Sequence, residues 1–259
     1  MKKYIQVLSQ FFRFSLQQLL EYRADLFLWG LVSTGWTLFS LLFYEILFLQ
    51  TTNVAGWSKE HMYVFLGIFM IIDTATWSFF WRNMQMYARS IFDGSLDFLL
   101  LQPIDVQFRL SFRHLSFTNM PRLFIGMFLV MTHLRPFPDL LHALLFICLL
   151  TFSIFLIYLL FFFVTTCTFW VDKLDNIVEI VPALRRIWSI PSDIYSGPIS
   201  ALLTIVIPLG LITTVPTRLL LNTDRWDQTI VLMIFCIIFF LLTRAFFHFS
   251  IKKYSSVGS

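Results

Sequence analysis

Chemistry needs groups that hold charge, move protons or wrap phosphate, and this chain offers them at few positions. Asp73, within Ile71-Ile72-Asp73-Thr74-Ala75-Thr76, is the one acid near the middle of a long apolar run. A charge there costs at least about 3 kcal/mol to hold in lipid, so it must face protein or water. Two roles fit it: lining a translocation path, or a structural hydrogen bond to a hydroxyl or arginine of another segment. A second set lies in Asp93-Gly94-Ser95-Leu96-Asp97-Phe98-Leu99-Leu100-Leu101-Gln102-Pro103. Gly94 breaks a helix, Ser95 and Asp97 cap and charge the start of a new one, and Pro103 stops it. The product is a short, very apolar helix with Leu96, Leu99 and Leu100 on one face at i, i+3 and i+4. Such a helix must be covered by lipid or seated in a partner's groove.

Motifs for other chemistry do not occur. A loop that wraps nucleotide phosphates needs Gly-x-x-x-x-Gly-Lys-Ser/Thr, and none of the nine glycines is followed by lysine. His61, His114, His133, His142 and His248 show no spacing that sets two metal ligands on one helix face. The nucleophile elbow Gly-x-Ser-x-Gly is missing too. Cys148, Cys167 and Cys236 all sit in apolar runs, which fits small packing residues and not a disulfide framework. No catalytic residue, metal or cofactor is expected on this chain, and any energy source must sit on another.

The elements that position these residues follow from composition. Of 259 residues, 58% are hydrophobic and only 13% charged, and 32 are phenylalanine. A soluble domain carries nearer a quarter charged residues, so this surface faces lipid. Crossing the hydrocarbon takes about 20 apolar residues in a helix. Leu26 to Tyr44, Met62 to Trp81, Leu140 to Trp170, Ile199 to Pro216 and Thr229 to Phe249 meet that test. Leu123 to Leu134 is shorter and must reach back through Arg122 towards Phe117, with Arg122 snorkelling to the headgroups, as is expected of Arg244. The fold class is therefore all-α integral membrane, with six spans over residues 24–250 in one domain, 1–259. Before them, Gln6, Gln10, Arg13, Gln17 and Glu21 form one polar stripe, the pattern of an interfacial helix over 1–23. A tail, 251–259, follows.

With the N-terminus inside, the inner segments hold Lys2, Lys3, Arg13, Arg23, Arg82, Arg89, Arg109, Arg113, Lys173, Arg185, Arg186, Lys252 and Lys253. The outer ones hold only Lys59, Arg135, Arg218 and Arg225. Positive residues stay on the cytoplasmic side during insertion, which gives both termini inside. Trp57, Trp81, Trp170, Trp188 and Trp226 fall near the expected span ends, where an amphipathic ring prefers the interface. The net charge of +4 is spread singly beside apolar segments, the pattern of membrane anchors and not of a nucleic-acid surface.

Beyond the Gly94 to Pro103 loop, a second informative stretch is Trp188-Ser189-Ile190-Pro191-Ser192-Asp193-Ile194-Tyr195, then a segment with Pro208 and Gly210, then Val215-Pro216. Pro208 breaks the helix ladder and Pro216 is expected to end it, with Leu219 to Leu221 turning back into the outer leaflet. Together with the amphipathic start and the closing Lys252-Lys253-Tyr254-Ser255-Ser256, these stretches resemble the permeases of type-two ABC exporters, in their six-span branch. Gln102 departs from the pattern, since a basic residue is expected before the proline.

The resemblance implies a non-catalytic permease in a bacterial inner membrane, paired with an identical or homologous permease. It further implies two ATPase subunits that bind ATP and Mg, engaged through Asp93, Gly94, Leu96, Leu99, Leu100 and Pro103. Its cargo would be hydrophobic or amphipathic. A proton-coupled carrier would set several acids mid-span, and only Asp73 is there; a lipid-acting enzyme would need paired acids with histidine or a metal, and no such cluster occurs.

Overall fold

The computed structural model describes residues 2–21, 23–170 and 179–253. Lys173 and the closing Tyr254-Ser255-Ser256 lie outside the described residues. An amphipathic helix, α1 (Lys2–Glu21), leads to α2 (Arg23–Gln50). A turn joins α2 to α3 (Lys59–Ala75), whose first amides are capped by Ser58. That helix continues through a π-helical turn, Thr76–Trp81, into α4 (Arg82–Phe92). Two short helices follow, α5 (Leu96–Leu100) and α6 (Val106–Phe112), and then α7 (Met120–His133) and α8 (Leu140–Thr166). The remainder is α9 (Ile180–Trp188), α10 (Gly197–Ala201), α11 (Leu211–Leu220) and α12 (Trp226–Lys253). No strand forms among the described residues.

Four of these stretches, Phe27–Gln50, Lys59–Phe92, Leu140–Trp170 and Trp226–Lys252, are long and apolar enough to cross a membrane. Met120–His133 is apolar but shorter. The core runs along α3, which is buried nearly all round, and its closest neighbour is α7. A Cβ on Gly67 would stand 2.6 Å from the carbonyl oxygen of Gly126, and one on Gly126 2.8 Å from that of Gly67. Only two facing glycines permit this approach, the usual device where lipid gives helices no hydrophobic reason to associate. α8 and α12 instead lie parallel on aromatic contacts, Phe155 with Phe240, Phe162 with Phe247 and Trp170 with Phe249.

The chain between Trp170 and Trp226 differs from the sequence expectation. The Trp57 indole, in the α2–α3 turn, donates to Asp193 Oδ2 at 2.9 Å, and Arg218 pairs with the same carboxylate. Asp193 and Arg218 therefore sit at one end of the bundle, that of the α2–α3 turn. The segment between them cannot be a crossing. It bends by 80° between Gly197–Val206 and Leu211–Leu220. Each arm has ten residues, about 15 Å, half of the hydrocarbon thickness. Pro208 makes the break as expected, through the non-helical Ile207. Pro216 does not end a helix: α11 runs on to Leu220, packed against α3 and α8, and Leu219 and Leu220 are buried. Its threonines hold it, Thr213 donating to the Trp188 carbonyl at 2.7 Å and Thr214 accepting from the Ser192 amide at 3.0 Å.

Candidate functional site

Asp73 is 2% exposed, and two arginines from other elements close on it. Arg122 of α7 reaches Oδ2 with Nη1 at 2.8 Å. Arg185 of α9 grips both oxygens, Nε on Oδ1 and Nη2 on Oδ2 at 2.8 Å. A planar guanidinium matches a carboxylate in this two-point manner, which lysine cannot. Phe69, one helical turn before Asp73, lends its ring to both cations, 5.5 Å from Arg122 and 5.1 Å from Arg185. A lone mid-span acid thus finds its counter-charge by drawing in α7 and α9. Arg122 does not snorkel, because the carboxylate is the nearer and drier partner. Arg185 is not a loop residue of the inner face. Trp57 and Trp188, expected at the interface, are buried as well.

Beside the clamp opens a cleft of about 880 Å³. One wall is α2, with Trp29, Trp36 and Phe39; the other is α3 to α4, with Phe69, Trp77 and Trp81. The π-helical turn directly after Asp73 swings the last two into it, and such turns recur at working sites. Arg82, Arg122 and Arg185 also line the cleft.

The Gly94 to Pro103 loop is fastened to the opposite end of the bundle. Gly94 has φ +72°, a left-handed conformation that a side chain resists. Asp93 accepts from the Ser95 hydroxyl at 2.6 Å and amide at 3.0 Å, and these bonds hold its carboxyl below the usual range. Ser95 itself makes no capping bond to α5. Leu96 and Leu99 turn inward, at 0% and 8% exposure, and Leu100 packs partly against the core. The expected outward face is therefore corrected: Phe98 and Leu101, at 72% and 83%, are the residues that project. Along a helix of five residues one face must seal the helix onto α4 and α6, and the leucine triplet does that. Lys3 donates to the Pro103 carbonyl at 2.8 Å, which ties α1 to the loop.

Beyond Pro103 the chain is gripped from several sides. Asp105 caps α6 and pairs with Arg244 of α12, Nη2 to Oδ2 at 2.7 Å. Burial raises the Asp105 carboxyl, but Arg244 and the Phe108 amide outweigh it and hold it below the usual range. Arg244 is thus paired, not snorkelled. Asn83 donates to the His114 carbonyl at 2.8 Å and accepts from the His114 amide at 2.9 Å. Burial, then the charges of Arg82 and Arg113, push the His114 imidazole down to about 4.

The family model described as ABC-2 family transporter protein matches residues 34–258. The chain belongs to that family. As an ABC-2 family member it is a multi-pass membrane protein, the membrane component of a transporter. No curated protein and no solved structure matches it. The match begins within α2, so α1 precedes it. Sequence reasoning singled out the Gly94 to Pro103 loop and Asp73, the latter with a hydroxyl or arginine of another segment as one expected partner, but did not name Arg122 or Arg185. One signal was available: Arg122 and Asp73 are each charges in apolar surroundings, and such charges seek each other.

Proposed function

We propose that this ABC-2 family member is the permease subunit of an exporter, forming half of a translocation path driven by a separate ATPase that binds ATP and Mg. On this reading the chain crosses the bacterial inner membrane six times with both termini in the cytoplasm, the fifth crossing running through α9. Arg82, Arg89, Arg109 and Arg113 gather at the proposed cytoplasmic end, as the positive-inside rule requires. A second permease, identical or homologous, completes the path, and two ATPase copies dock below. Asp73 and its arginines border the route.

The observation that carries the reading is α5, a short helix sealed to the bundle by Leu96 and Leu99 while Phe98 and Leu101 stand exposed at its tip. An apolar knob on a rigid mount is suited to filling a groove in a partner and passing its closure to the bundle. The test is co-purification of the ATPase. Phe98→Glu and Leu101→Glu should release it or uncouple ATP turnover from export, because each puts a charge into a desolvated groove. Ser95→Glu should leave assembly intact. Retention of the partner and normal export by both knob variants would refute docking through α5.

A further inference from the structure

The cleft beside Asp73 has an unbalanced charge. The clamp holds one carboxylate against two guanidiniums, a surplus of one positive charge, and Arg82 lines the same space. No acidic residue lines the cleft among the described residues. Arg122 Nε is moreover buried there without a hydrogen-bond partner among them. A surplus cation facing a cleft within a membrane-spanning bundle is costly where lipid fills it, so the fold invites an anion. The walls define what the anion is attached to: Trp29, Trp36, Phe39, Phe69, Trp77 and Trp81 give apolar, polarisable faces. A volume of about 880 Å³ lies within the range of about 300–1,000 Å³ that holds a whole small molecule.

We infer that the cleft binds an anionic amphiphile drawn from the surrounding membrane, its acidic group met by the arginines and its apolar part lying along the aromatic walls. This rests on the permease reading and names the cargo class. Asp73 then acts as a competitor: it holds the arginines in register and lends part of their charge until an acidic headgroup takes it up.

Tryptophan fluorescence reads the site directly, on the purified chain in phosphatidylcholine nanodiscs. Dodecyl phosphate, dodecyl maltoside and dodecyltrimethylammonium share one tail and differ in charge. The phosphate should bind at least about tenfold more tightly than the other two, the scale of one charge-assisted hydrogen bond. Arg185→Gln, which makes the clamp neutral, should lose about that factor. Asp73→Asn, which frees both arginines, should tighten binding, a sign that mere damage to packing would not give. Should either variant not fold, Arg82→Gln, outside the clamp, must weaken the phosphate selectively. Equal binding of the three tails, as would follow if a second copy already neutralised the cleft, overturns the inference. So does inorganic phosphate matching the amphiphile, or a preference that no variant moves. ATPase co-purification from the same membranes reports the permease reading separately: a chain that keeps its ATPase but lacks anion preference defeats only this inference, and the converse defeats only the other.

Discussion

The clamp at Asp73 and the fastening of residues 103–116 are both made of arginine and carboxylate, yet they are built to different standards. At Asp105 one acid meets one arginine, both about a third exposed, and glutamine and tyrosine complete the set: Arg244 donates to Gln107, which in turn donates to Tyr158. At Asp73 one buried acid meets two arginines, and a surplus cation borders a cavity. Balanced, half-wet pairs behave as fasteners whose loss is absorbed by solvent. At the clamp Asp73 is buried and Arg122 nearly so, while Arg185, a third exposed, faces the cleft with the surplus charge, and that imbalance marks which of the two clusters is poised to bind something.

Removing the acid should separate them most sharply. Asp73→Leu takes the counter-charge and its hydrogen-bond acceptors away from the nearly buried Arg122 and the partly exposed Arg185, and should cost about 3–5 kcal/mol, read as lost monodisperse protein and a lowered thermal midpoint. Asp73→Asn keeps the shape and should still assemble. If Asp73→Leu were as stable as the parent chain, the clamp would be no more than a surface pair.

Acid should act on the fastening. The His114 imidazole titrates near 6.5 when unfolded and at about 4 when folded, so between those values the unfolded chain binds the extra proton. Stability is therefore full above about 6.5 and declines as pH falls towards about 4. Protease cleavage between α6 and α7, followed against pH, should rise over that window, and His114→Gln should flatten the profile. A flat profile in the parent chain would mean that His114 takes no part.

Asp105→Asn is expected to have a smaller effect, about 1 kcal/mol or less, since solvent screens a pair of this exposure. An effect as large as that of Asp73→Leu would abolish the distinction between the two clusters. Least perturbing is a topology probe. In a background without the three native cysteines, Asn53→Cys, Ser196→Cys and Asn222→Cys should all label from outside intact cells, and Ser256→Cys should not. Protection of Ser196→Cys with labelling of the other two would restore the crossing at Ile199 to Pro216.

Much of the frame was legible because hydropathy and helical period are local. The apolar runs at Met62, Leu140 and Thr229 became α3, α8 and α12 nearly as bounded, and Gly94 and Pro103 delimited α5. The course of the segment at Ile199 to Pro216 was not, since a run of apolar residues does not say whether both its ends return to one place. That is decided by a contact between residues 25 apart, Asp193 and Arg218, and by Trp57 from much earlier in the chain. Partner arginines escaped for the same reason: Arg185 lies 112 positions from Asp73. In α5 the apolar triplet was recognised but its direction was not, because which side of a short helix seals inward depends on α4 and α6.

The bent segment before α12 has a consequence for assembly at the ribosome. A hairpin that leaves and rejoins the bundle at Asp193 and Arg218 contributes nothing to the odd-even count of passages through the bilayer. Its shortening, lengthening or outright loss would leave the last helix inserted in the same direction. The exposed arm before Pro208 is free to diverge in length without inverting anything downstream, a freedom that none of the true crossings shares.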